Sequence, residues 1–223
     1  MEKNIYVITG HYGSGKSEFS INFARKLLKT TNRKLCLADL DIVNPYFRSR
    51  EVRESLIEEG IDVVSDTLNS TKGLDMPFLS PAVRGQIVSK EKDVILDCGG
   101  DDVGVRVLKQ FDDEIRMHNH EVYMVINTFR SQTGTVRKII DMKEELERES
   151  GFEITAFINN SNFLRQTTVD DLVNSDRILK EVSQLTNIPV KYTTGMKSLI
   201  EKLPDDISGQ KLILDLSLRS DWL

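Results

Sequence analysis

Short apolar runs of strand length recur along the chain at Ile5–Thr9, Leu35–Ala38, Ile61–Val64, Val94–Leu96, Val122–Ile126, Ile154–Ile158 and Ile188–Tyr192. Runs that stay apolar at nearly every position belong to strands covered on both faces. Between them lie Ser17–Lys29, Val103–Met117, Thr135–Glu149 and Asp170–Thr186, each long enough for a crossover helix. Within Val103–Met117, residues Val103, Val107, Leu108, Phe111 and Ile115 recur at helical spacing and form one stripe to lay on a sheet. This alternation predicts an α/β fold, a three-layer sandwich with a mostly parallel central sheet and helices on both sides. Ligands of such sheets bind at the carboxyl ends of the strands.

The pattern weakens between Val64 and Val94, where Gly73, Pro77, Pro81 and Gly85 point to a lid or an elaborated connection. Near the end, Leu212, Leu214, Leu216 and Leu218 alternate, which suggests a short edge strand. No repeat or composition break divides the chain, so residues 1–223 are expected to form a single domain. Thirty basic against thirty-five acidic side chains, a net charge of −5, argue against nucleic acid or an anionic membrane as a partner. The first ten residues hold too few apolar side chains for a signal peptide or a spanning helix. Cys36 and Cys98 sit in apolar strands and read as small buried thiols, which fits a reducing, cytoplasmic setting.

The strongest chemical signal is Gly10-His-Tyr-Gly-Ser-Gly-Lys16-Ser17, which satisfies G-x-x-x-x-G-K-[ST] between a strand and a helical stretch. In a chain of this length the pattern arises by chance about once in a hundred sequences. Its glycines let the backbone wrap so that N–H groups face phosphate oxygens, and the following helix adds its positive end. The predicted fold is therefore that of a P-loop NTPase. The expected nucleotide contacts run through Gly10, His11, Tyr12, Gly13, Ser14, Gly15, Lys16, Ser17 and Glu18, with Lys16 on the β and γ phosphates and the Ser17 hydroxyl on Mg²⁺. The strand Leu35–Ala38 runs into Asp39-Leu-Asp41, two carboxylates that extended geometry points to one side. One can serve the Mg²⁺ shell while the other orients a water. Asp97 ends a further strand ahead of Cys98-Gly99-Gly100, the shape of the second metal-holding element of phosphate-loop enzymes.

Two strand-ending asparagines, Asn127 and Asn159, carry both donors and acceptors and are candidates to read the edge of adenine. Guanine-selective proteins of this architecture use Asn-Lys-x-Asp, whereas Asn159-Asn-Ser-Asn162 lacks both the Lys and the Asp. ATP is thus expected over GTP. His118 and His120 have no companion ligands in the sequence, and the scattered phenylalanines read as core or chance surface.

In this order of parts the chain resembles the MinD/ParA/CobQ-type (SIMIBI class) phosphate-loop ATPases. The stretches Asp41-Ile-Val-Asn-Pro-Tyr-Phe-Arg-Ser-Arg50, Leu96-Asp-Cys-Gly-Gly-Asp-Asp-Val-Gly104 and Asn127-Thr-Phe-Arg130 are similar to a poorly characterised bacterial and archaeal subgroup. The resemblance implies Mg-ATP at the carboxyl edge of a parallel sheet and a homodimer that sandwiches two nucleotides. It also implies Asp41 as the residue positioning the attacking water, Asp39 as a carboxylate near the metal and Asn159 as an adenine contact. One position departs: His11, an imidazole, stands where many members carry a signature Lys, so an arginine such as Arg48, Arg50 or Arg130 becomes the candidate substitute. The chain has no Cys-x-x-Cys, which disfavours an iron–sulfur role, and no basic terminal helix for a membrane.

The leading expectation is an ATPase switch protein that binds Mg-ATP, hydrolyses it slowly and acts on a protein partner, with Lys16 and Asp41 as its catalytic residues. The rivals are an ATP-dependent kinase or synthetase for a small acceptor held by residues 66–86, and an ATP sensor without turnover.

Overall fold

The computed structural model of the protein describes residues 2–40, 50–65, 81–100 and 102–218. One sheet is built from β1 (Asn4–Thr9), β2 (Lys34–Asp39), β3 (Ile61–Ser65), β4 (Lys92–Asp97), β5 (Asn119–Ile126), β6 (Ala156–Asn159), β7 (Val190–Gly195) and β8 (Gln210–Ile213). Their order is β3-β2-β4-β1-β5-β6-β7-β8, and every neighbouring pair is parallel. All seven expected runs contribute strands. Pro189, with no N–H to give a ladder, delays the last of them to Val190, although its carbonyl accepts from Phe157 N.

The helices are α1 (Lys16–Thr30), α2 (Arg50–Glu58), α3 (Pro81–Val88), α4 (Asp102–Arg106), α5 (Asp112–Arg116), α6 (Val136–Ser150), α7 (Val169–Thr186) and α8 (Lys197–Ile200). Alternate strand residues feed two cores. Ile5, Val7, Val94, Leu96, Val122 and Met124 meet Leu108, Phe111, Ile139 and Leu179 on one face. Ile8, Leu37, Ile95, Tyr123 and Val125 meet Phe19 and Phe23 of α1 on the other. There Phe23 packs edge-on to Tyr6 at 5.1 Å and stacks with Phe19 at 5.5 Å, fixing α1 against β1.

The single helix expected over Val103–Met117 is broken into α4, a 3₁₀ turn at Val107–Phe111, and α5. Phe111 leaves the helical well at φ −124, ψ 17, while its side chain stays buried. Asp112, Asp113 and Glu114 then fill the first turn of a new helix, where negative charge suits the dipole. The expected edge strand ends at Ile213; Leu214 N still donates to Gly195 O of β7 at 2.8 Å, and Leu216 and Leu218 lie beyond the sheet. Of the expected lid, residues 66–80 lie outside the described residues, and α3 buries Val83 and Ile87.

Both cysteines are buried thiols outside any disulfide, and burial pushes the Cys36 thiol up to about 12. No helix among the described residues is long and apolar enough to cross a membrane. From β1 the chain passes first to the β2 side and later to the β5 side, leaving a crevice at the carboxyl end of β1.

Candidate functional site

That crevice is where the glycine-rich loop sits. Strand β1 ends at Thr9 and α1 begins at Lys16, with Gly15 as its N-cap at φ 84, a left-handed conformation that glycine adopts without strain. Space demands glycine there too, since a Cβ would lie 2.3 Å from Asn160 Nδ2. Gly15 has no side chain to cap α1, and the positive end of this 15-residue helix faces the loop, the place where such folds hold an anion. The loop closes on itself through His11 O, which accepts from Ser14 N at 3.1 Å and from Lys16 Nζ at 3.3 Å. The loop after β4 lies directly on it: a Cβ on Gly100 would come within 2.6 Å of both Lys16 Nζ and Tyr12 N.

Asp39 and Asp97 are register partners at the ends of β2 and β4, and both are buried. Ser20, on the helix turn after Ser17, donates to Asp97 Oδ1 at 3.1 Å. Lys16, Ser17, Asp39 and Asp97 thus come to one edge of the sheet, while Asp41 lies outside the described residues. Among the described residues no group of three or more His, Cys, Asp or Glu converges. The set present, hydroxyl and carboxylate oxygens beside a phosphate loop, fits Mg²⁺, which keeps several waters and takes its remaining ligands from one or two side chains and phosphates.

A cavity of about 220 Å³ extends from the loop at Gly13, Gly15, Lys16 and Ser17 toward an apolar end at Met196, Leu199, Leu214, Leu216 and Leu218. Phe129 and Phe163, with ring centroids 6.1 Å apart, flank it while remaining exposed to solvent. The last wall is tied to α1. Glu18 accepts from Ser217 N and Leu218 N, and Arg25 Nη1 donates to Ser217 Oγ at 2.8 Å. Glu18 is the one acidic residue lining the cavity among those described, and its two carboxylate oxygens are turned to these amides.

The structure differs from the sequence reading at the two strand-ending asparagines. Asn127 and Asn159 are buried behind the cavity wall and do not line it. Asn159 Nδ2 donates to Ser175 Oγ at 3.0 Å, and Asn127 Oδ1 accepts from Phe129 N and Asn162 N. Their amides hold loops: Asn159 is the last residue of β6 and Asn127 the first after β5, and each side chain is turned to buried partners while residues further along the loops line the cavity. The lining asparagines are Asn160 and Asn162, one and three residues further on. Asn160 Nδ2 donates to Ser14 O at 2.8 Å, and its Oδ1 accepts from Thr194 Oγ1 at 2.6 Å. The signal for them was the whole string 159–162; the phenylalanines and the terminal leucines carried none.

No family model and no curated protein matches the sequence. Among solved structures the chain is similar to FtsY from Mycoplasma mycoides, with TM-score 0.59, 17% identity, and coverage of 85% of this chain and 59% of that one. It is similar also to the cell division protein FtsY of Thermotoga maritima, at 0.54 and 19%, covering 89% and 64%. The signal recognition particle receptor FtsY of Elizabethkingia anophelis gives 0.56 and 19%, covering 86% and 58%. The chain spans less than two thirds of the length of each. With the eight-stranded parallel sheet and the loop between β1 and α1, this likeness establishes an α/β fold of the P-loop NTPase type.

Proposed function

We propose that the protein binds Mg-ATP in this cavity and hydrolyses it slowly, as a switch whose state depends on the terminal phosphate. Phosphate binding is supported by the loop geometry: the positive end of α1, the Lys16 ammonium and the close glycine contacts converge at one end of the cavity. A related fold, the Elizabethkingia anophelis receptor, was solved in complex with GDP. The observation that carries the choice of adenine is the absence of a free carboxylate among the described cavity residues. Guanine recognition asks for an acceptor pair facing N1–H and N2–H₂, yet position 162 is an amide and Glu18 is engaged with residues 217 and 218.

Ser17 and, through water, Asp97 would hold Mg²⁺, which when bound offsets charge on the phosphates. Lys16 would bind the β and γ oxygens, and Asp41 would orient the attacking water. Dimerisation and a protein partner belong to the same proposal.

Titration calorimetry of the full chain with Mg-ATP and Mg-GTP tests it, with Lys16→Ala as the control. ATP binding at least tenfold tighter than GTP, lost in Lys16→Ala, is the expected result. Equal affinities would overturn the choice of base, and no binding of either would overturn the nucleotide site. Asp41→Ala is expected to keep ATP affinity, to slow phosphate release and to double its mass by light scattering only with Mg-ATP; an unchanged mass in an ATP-saturated sample would remove the dimer switch.

A further inference from the structure

We propose that Arg130 is the second phosphate-binding cation of the site, supplied by the same chain from the loop after β5; this rests on the cavity being a nucleotide site. Arg130 Nε donates to Gly13 O at 3.0 Å. Its guanidinium lies along the glycine itself, since a Cβ on Gly13 would meet Nε, Cζ and Nη2 at 3.0, 3.1 and 3.2 Å. The side chain therefore rests on the phosphate loop, and it lines the same cavity as Lys16 and Ser17.

The backbone beneath it is fixed. Arg130 N donates to Asn127 O and Thr133 N to Arg130 O, each at 3.0 Å, and Thr133 Oγ1 closes the turn on Asn127 O at 2.7 Å. Asn127 is in turn held by Asn162. The buried asparagine that the sequence offers as a base contact thus positions an arginine.

Electrostatics point the same way. Lys16, the positive end of α1 and Arg130 converge on one end of the cavity. Against them the cavity lining offers one carboxylate, Glu18, which faces the chain end. An anion at this end of the cavity would face the positive end of α1 and two cationic side chains at once. A guanidinium suits it, because with Nε used on Gly13 O its Nη1 and Nη2 groups make no hydrogen bond to a described residue and can fork onto phosphate oxygens. Of the three arginines open to replace a cation at position 11, Arg130 is the one whose side chain is described at the loop, while the imidazole of His11 turns to Tyr12 O at 2.7 Å.

The test is calorimetric titration of wild type, Arg130→Ala, Arg130→Lys and Arg130→Gln with Mg-ATP, Mg-ADP and AMP at two salt concentrations. Loss of a charge-assisted contact predicts Mg-ATP binding about 10- to 100-fold weaker in Arg130→Ala, with AMP least affected. Arg130→Gln keeps an N–H donor for Gly13 O without charge and is expected to stay weak, whereas Arg130→Lys recovers part of the affinity. Wild-type affinity should also fall more steeply with salt than that of Arg130→Ala. Wild-type affinity in Arg130→Ala, or full recovery in Arg130→Gln, overturns the proposal alone. No ATP binding by the wild type overturns the nucleotide reading and this proposal with it.

Discussion

Asn22 pairs with the backbone of Asp215 as a strand residue would: its Nδ2 donates to Asp215 O at 3.0 Å, and its Oδ1 accepts from Asp215 N at 2.9 Å. One helical turn earlier, Glu18 takes the amides of Ser217 and Leu218. A single face of α1, directly after the phosphate loop, thus carries the strap whose leucines wall the cavity.

Asn22→Ala removes both bonds of that pair and leaves two backbone groups to find water, so it is expected to destabilise the strap by about 1–3 kcal/mol. Limited proteolysis followed by mass spectrometry should show faster cleavage within residues 214–218, and Mg-ATP should slow it. Unchanged cleavage would mean that Glu18, Arg25 and the leucines hold the strap without the Asn22 pair.

Gly100 offers a sharper perturbation because no flexible atom can move away on one side of it. A methyl there would meet the backbone N of Tyr12 as well as Lys16 Nζ, each at 2.6 Å. Gly100→Ala is expected to displace the phosphate loop and weaken ATP binding by more than tenfold. The sheet is untouched, so circular dichroism should stay that of the wild type; unaltered affinity would show that the two loops are not coupled.

What the sequence revealed of this arrangement followed from how local each determinant is. The loop from Gly10 to Ser17 is legible because backbone geometry and charge are both written into contiguous residues. The apolar strands are equally legible, since burial on two faces needs no partner to be named. The strap was not, because Leu214, Leu216 and Leu218 carry the period of a strand while their destination is set by Glu18 and Asn22, nearly two hundred residues away. Asn159 and Asn127 were visible as polar residues at strand ends, but the direction in which an amide faces is decided by partners such as Ser175 and Asn162. Asp41 and residues 66–80 lie outside the described residues.

Asn160 links three parts of the site, with its amide on Ser14 O and its carbonyl oxygen under the Thr194 hydroxyl. Asn160→Asp would set a carboxylate against the Ser14 carbonyl and is expected to cost more stability than Asn160→Ala, which costs about 1–3 kcal/mol. Denaturant unfolding of the two variants checks the order; an Asp variant as stable as wild type would show that the Ser14 contact is not needed.

Lys3 gives a pH prediction at the opposite end of the sheet. Its ammonium is buried against the carbonyls of Gln86, Ile87 and Ser89, and burial lowers its pKa from 10.5 to about 8. The folded protein therefore gives up this proton before the unfolded chain does. Between about pH 8 and pH 10.5 the unfolded state binds more protons, so this group makes the fold more stable as pH rises through that window and adds no slope below it. Tyrosines such as Tyr6, raised to about 12 by burial, act oppositely above pH 10 and must be removed by difference. Thermal midpoints of wild type minus Lys3→Met, measured from pH 7 to 10, should thus climb above pH 8. A flat difference would mean that Lys3 keeps its proton and that the three carbonyls outweigh its desolvation.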